Sequence, residues 1–263
     1  MDVSVLSEHL DYVFLLFLRI SGILISSPVF GRKNVPNMMK ISFCAMLTAV
    51  FLIGLPAPES YPSYENLLEY VLICFRELLF GASMGFILTV MFDLTYTAGS
   101  LMDYQIGFSM ASMYDLQNNT QTPISGNLFY IALLVIFFGY DGHLKLIEII
   151  HRTVEACPIG TAMVPREILW VAVDVMSSSF AMAVMLAMPV IAAGVMTEIA
   201  LGVIIKNVPQ MNMFVVGIPM KIVIGLLMLV LTLALFVNFT KGIFTKAFDY
   251  IGLMFNYLEG TMT

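Results

Sequence analysis

Charge is what this chain has least of: 11% of its 263 residues are Asp, Glu, Lys or Arg, against 60% hydrophobic, with a mean hydropathy of +0.93. An ordinary soluble domain carries about 25% charge. Too few charges remain to coat a soluble globule, so the chain is expected to be an integral membrane protein or the core of a membrane complex. A basic surface is missing as well. The net charge of -6 and a pI near 5.0 exclude nucleic acid as a partner, because phosphate backbones are bound by cationic surfaces that displace counterions. Cysteine is scarce: Cys44, Cys74 and Cys157 are odd in number, widely spaced and without a CxxC, which fits neither a disulfide framework nor a zinc site. They read as small apolar core residues.

Chemistry-bearing motifs are lacking too. No GxxxxGK[ST] phosphate loop and no HExxH metal helix occurs, and His9, His143 and His151 have no ligand-like spacing, so no cofactor, metal or enzymatic activity is expected. His143 and His151 read as polar contacts at a helix mouth. Asp2, Glu8 and Asp11 precede the first apolar run with no basic residue among them, so no cleavable signal peptide is expected.

What is there is six apolar runs, at residues 12–27, 41–55, 70–98, 128–140, 170–205 and 213–239. They are expected to be helices, since an open sheet edge cannot satisfy its backbone in lipid. Spanning takes about 20 apolar residues, yet several runs fall short and 170–205 is far longer. Pro189 with Gly194 is expected to bend that long run. Arg32, Lys33 and Lys40 place the first loop inside, but six crossings then leave Lys241 and Lys246 outside, against the positive-inside preference. Either one run fails to cross, or protein partners rather than lipid hold the helices.

Charges inside the runs sharpen this choice, because a charge near the bilayer centre costs about 3 kcal/mol even on the insertion scale. Arg19, Arg76 with Glu77, Asp93, Glu198 and Lys221 all stand in such positions. For Arg19 and Asp93 the bland reading is snorkelling or a local pair. Gly81 with Gly85, and Gly22 with Ser26, have the small-xxx-small spacing that lets helices approach closely.

Two interruptions draw attention. Gly99 to Asp115, followed by the polar stretch 116–125, is rich in Gly, Ser and Met and carries no Lys or Arg; it reads as a flexible apolar loop tucked into a cavity. Most of the 21 methionines fill helix packing, but Met110 and Met113 on this loop suit adaptable contacts. The second interruption is the turn Lys206-Asn207-Val208-Pro209-Gln210-Met211-Asn212 between two long runs. Pro209 stops the first helix and Lys206 suits its negative end. Glu198 and Lys221 flank this turn and are expected to pair across an antiparallel hairpin or to serve a contact between subunits.

Arg19-Ile20-Ser21-Gly22 with Pro28 and Phe30, Glu77-Leu78-Leu79-Phe80-Gly81 to Gly85-Phe86, the Gly99 to Asp115 stretch, Gly142-His143, and the Glu198 to Gly225 block occur in an order that resembles the FliR family of flagellar biosynthetic membrane proteins. The resemblance runs from about Tyr12 to Phe239. It implies an all-α export-gate subunit, with a FliP-like part at 1–165 and a FliQ-like helical hairpin with a C-terminal tail at 166–263. It implies FliP- and FliQ-type membrane partners, a FlhB-type export switch protein, and unfolded exported proteins as cargo. The place implied is the bacterial inner membrane at the flagellar basal body. A plug lies, by the same resemblance, at about 104–117, with Gln105, Gly107, Phe108, Ser109, Met110 and Met113, while Lys206, Pro209, Gln210 and Asn212 face the cytoplasmic entrance. The resulting picture is a passive gated conduit in which Met and Phe side chains seal, Gly and Ser let the plug move, and energy comes from elsewhere.

Other readings stay open at this point. A homologous virulence-secretion subunit shares much of the pattern. A secondary transporter would use broken helices and midplane charges, but it predicts an internal repeat that is not visible. A membrane enzyme lacks a nucleophile and base at motif spacing.

Overall fold

A computed structural model of the chain describes residues 3–32, 35–54, 64–108, 123–162, 166–208 and 213–262. Seven helices follow one another among these residues: α1 (Val3–Ile25), α2 (Asn37–Gly54), α3 (Leu67–Ile106), α4 (Ile124–Gly139), α5 (Gly142–Ala156), α6 (Glu167–Asn207) and α7 (Met213–Met262). The expected all-α class holds, and each of the six apolar runs is largely covered by one helix. Among the described residues, four helices are long and apolar enough to cross a membrane, namely α2, α3, α6 and the Val215–Tyr257 part of α7; a fifth is added if α4 and α5 form one broken span.

Helix ends depart from the sequence expectation. α3, α6 and α7 run for 40, 41 and 50 residues. At about 1.5 Å per residue, an upright 40-residue helix is twice the length of the about 30 Å hydrocarbon layer. The apolar runs therefore cover nearly all of α6 but only the N-terminal parts of α3 and α7. α6 continues through Pro189 as one helix, so the expected bend does not interrupt it. α5 was not among the six runs because it is amphipathic: Leu146, Ile149, Ile150 and Thr153 are buried, while Lys145, Glu148, His151, Arg152 and Glu155 face outward. That spacing is the stripe of a half-buried helix, which a search for continuous apolar runs passes over.

The chain divides into two compact units, each drawing on residues from both sides of position 165. The first comprises Met1–Val90, Tyr140–Val175 and Lys246–Thr263. Here α1 lies backbone to backbone on the first half of α3. A methyl group at Gly22 would sit 2.6 Å from the Leu78 carbonyl oxygen, one at Gly81 would overlap the Arg19 carbonyl, and one at Gly85 would sit 2.6 Å from the Ile23 carbonyl oxygen. The Thr89 hydroxyl, one turn further on, donates to the Ser26 carbonyl. Close approach of this kind is what small residues permit between membrane helices.

The second unit comprises Met91–Gly139 and Met176–Thr245. Its centre is aromatic. Phe92 meets Tyr130 and Phe137 edge-on, Phe129 meets Phe236, Phe137 meets Phe244, and Tyr96 stacks on Tyr130 at 4.8 Å. Offset and edge-to-face pairs of this sort add about 0.5–1.5 kcal/mol each beyond area burial. They tie α3 to α4 and α4 to α7.

Candidate functional site

The first unit holds a polar centre that no local pattern announces. Arg19, on α1, and Glu77, on α3, are fully buried and face each other: Arg19 Nε donates to Glu77 Oε2 at 2.6 Å and Nη2 to Oε1 at 3.0 Å. Nη1 also donates to the carbonyls of Thr153, at 2.8 Å, and Cys157, at 2.6 Å, while Nη2 reaches Pro158 O at 3.3 Å. The guanidinium thus sits at the C-terminus of α5, where unpaired carbonyls and the dipole favour a cation. Gly160, in the left-handed region at φ 92, turns its N–H onto Glu77 Oε1 at 2.7 Å. The bland expectation of snorkelling is corrected for Arg19: it pairs inside the protein, with a partner 58 residues away. Two opposite charges stranded in separate apolar runs were the signal. Proximity in sequence pointed instead to Arg76 as the companion of Glu77.

The second unit anchors the base of the expected plug. Asp103, buried in the last turns of α3, accepts from the Ser125 N–H at 3.2 and 3.3 Å and from the Ser125 hydroxyl. Ser125 lies in the first turn of α4, so a carboxylate from a neighbouring helix serves the positive end and a free amide of α4. Beside it, a methyl group at Gly99 would overlap the Gly126 backbone. The two ends of segment 107–123 are therefore held together at one point.

The structure corrects the loop's extent. Gly99 to Ile106 are helical, because α3 continues to Ile106 and stops at Gly107, whose φ of 99 suits a residue without a Cβ. Glycine and serine suggested a loop, but Gly99 serves the close approach to α4 and Ser100 returns its hydroxyl to the Tyr96 carbonyl within the helix. Gln105 accordingly stands on the last turn of α3 rather than on a loop. Phe108 is half-buried just beyond Gly107. Ser109, Met110 and Met113 lie outside the described residues, as do Pro209, Gln210 and Asn212.

On the hairpin, Lys221 Nζ of α7 contacts Glu198 Oε1 of α6, with both side chains partly open. Lys206 is exposed in the last turn of α6. There the Asn207 side-chain amide donates to the Val203 carbonyl and the Val208 N–H to the Ile204 carbonyl, each at 2.9 Å. Among the described residues, no group of three or more His, Cys, Asp or Glu side chains is placed to hold a metal.

Fold and site together define an all-helical integral membrane protein whose polar groups serve helix junctions. The chain belongs to the bacterial export proteins, family 1, whose model matches residues 10–247. It is 30% identical over 238 residues to the flagellar biosynthetic protein FliR of Bacillus subtilis (strain 168), covering 89% of this chain and 91% of that one. It is 25% identical over 242 residues to FliR of Escherichia coli (strain K12), covering 92% of each. The Yop proteins translocation protein T of Yersinia pestis is 25% identical over 250 residues, covering 93% of this chain and 94% of that one. The family makes this chain a component of a type III export apparatus.

Proposed function

We propose that this chain is a subunit of the flagellar export gate, forming with FliP- and FliQ-type subunits the pore through which unfolded flagellar proteins leave the cytoplasm. A FlhB-type switch protein is a further partner, and the site of action is the bacterial cytoplasmic membrane at the flagellar basal body. The segment at about 104–117, with Gln105, Gly107, Phe108, Ser109, Met110 and Met113, is the plug, the FliP-like part is 1–165, and the FliQ-like hairpin with its C-terminal tail is 166–263. The observation that carries this reading is the double anchorage at Asp103 and Ser125. The segment bracketed by this contact carries, in sequence, Gly107, Phe108, Ser109, Met110 and Met113, a set that includes the thioether side chains suited to adaptable contacts.

Two measurements test the proposal. Purification from native membranes should bring down FliP- and FliQ-type subunits in fixed ratio, whereas isolation as a self-sufficient monomer that takes up solute would refute the gate. Deletion of 106–115 should let small ions leak across the membrane, and a membrane that stays tight would refute the plug.

A further inference from the structure

In the first unit, α5 and the last turns of α7 enclose a cleft of about 200 Å³. Its two walls differ in chemistry. α5 supplies Lys145, Glu148 and Arg152, while α7 supplies Phe248, Ile251 and Phe255. Lys145 Nζ stands 4.8 Å from the centre of the Phe248 ring, and no carboxylate among the described residues forms an ion pair with it. Arg152 Nη2 donates to Glu148 at 2.8 Å. The lining therefore carries two cations against one carboxylate, and a net positive charge faces an aromatic wall.

Both walls are held in place by the rest of the unit. Arg19 pins the α5 backbone beside Arg152 through the carbonyls of Thr153 and Cys157, and Ala247, Ile251 and Met254 of α7 are buried. A site prepared in this way loses little freedom on binding. Clefts that take a whole small molecule are typically about 300–1,000 Å³. This one is smaller and suits one end of a larger molecule, an anionic group joined to an apolar body. The same two helices expose Leu144, Ile147, Leu253 and Tyr257, apolar surface along which such a body can lie.

We infer that this cleft binds an anionic phospholipid, with the headgroup phosphate between Lys145 and Arg152 and the glycerol and first acyl carbons against Phe248 and Phe255. Arg152 commits one nitrogen to Glu148 and keeps Nε and Nη1 for phosphate oxygens. A bound lipid ties the end of α7 to α5, so occupancy stabilises this unit by mass action.

The test uses the full chain purified with its companions in detergent and titrated with phosphatidylglycerol, phosphatidylcholine or inorganic phosphate. Thermal aggregation and mass spectrometry of lipid retained by the intact complex are the readouts. Phosphatidylglycerol should raise the aggregation temperature and stay bound, phosphatidylcholine should act weakly, and inorganic phosphate should leave the temperature unchanged. Each cation near an anionic lipid is worth about five-fold in affinity, so Lys145→Gln with Arg152→Gln should weaken binding by about twenty-five-fold. Arg166→Gln with Lys241→Gln removes two exposed cations that do not line the cleft and should bind as the wild type does. Glu148→Gln removes the competing carboxylate and should tighten binding; it decides the matter if the double variant does not assemble. Equal effects of the two lipids overturn the site, as does a response to inorganic phosphate as strong as that to phosphatidylglycerol. So does an affinity unmoved by the cleft variants, a loss as large in the Arg166 and Lys241 control, or no response in any protein because a neighbouring subunit fills the cleft.

Discussion

Glu77→Ala removes the only carboxylate in contact with a fully buried guanidinium among the described residues, and the consequences can be followed atom by atom. Arg19 keeps its three carbonyl contacts, at Thr153, Cys157 and Pro158, but loses both hydrogen bonds to a counter-charge at 0% exposure. Breaking a buried pair from one side costs about 3–5 kcal/mol, because the remaining ion is left uncompensated. The Gly160 N–H loses its acceptor too, which adds about 1–3 kcal/mol. The sum is comparable with the whole net stability of a typical domain, about 5–15 kcal/mol. Glu77→Ala should therefore fail to accumulate as folded, trypsin-resistant chain in the membrane, and any purified fraction should aggregate at markedly lower temperature in detergent. Glu77→Gln keeps acceptor and shape while losing charge, and should fall between. The double variant Arg19→Leu with Glu77→Leu removes both ions; it should be less damaged than Glu77→Ala alone, although the α5 carbonyls lose their donor. A double variant more damaged than Glu77→Ala alone, or a Glu77→Ala protein as stable as the wild type, would refute a paired ionic centre.

Three further outcomes are expected. Gly81→Leu should separate α1 from α3, since even a methyl group there meets the Arg19 carbonyl; overpacking costs about 1–3 kcal/mol or more, and folded yield from membranes reads it. Asp103→Ala leaves the Ser125 amide and hydroxyl without their acceptor; a lost cap costs about 0.5–2 kcal/mol, so thermal aggregation should come earlier, and Asp103→Asn, which retains an acceptor oxygen, should recover part of the difference. At the hairpin, Lys221→Glu or Glu198→Lys alone should cost no more than about 1 kcal/mol because the pair is partly exposed; the double exchange should restore the level of assembled complex, and failure of that restoration speaks against direct pairing.

Much of the helical layout was legible in the linear chain. Scarce charge and long apolar runs demanded a membrane and helices, and the order of motifs around Arg19, Glu77, Gly99 and Glu198 pointed to the export family that the comparisons establish. The flanking of the Pro209 turn by Glu198 and Lys221 was readable because an antiparallel hairpin folds nearby residues onto each other. Other features stayed hidden for identifiable reasons. α5 is amphipathic and lacks a continuous apolar stretch. Gly99 and Ser100 carry loop composition but serve helix packing.

Composition and hydropathy set solvent and class, since the cost of exposing apolar surface or burying charge depends on residue type alone. Pairing does not. Arg19 lies 58 residues from Glu77 and Asp103 22 residues from Ser125, so no local rule selects these partners over nearer ones such as Arg76. Their meeting depends on which helix faces touch, and that is set by backbone contacts at Gly22, Gly81 and Gly85 in one unit and at Gly99 and Gly126 in the other. A glycine in a membrane helix looks the same whether it faces lipid or a neighbour; only the assembled helices turn it into a notch.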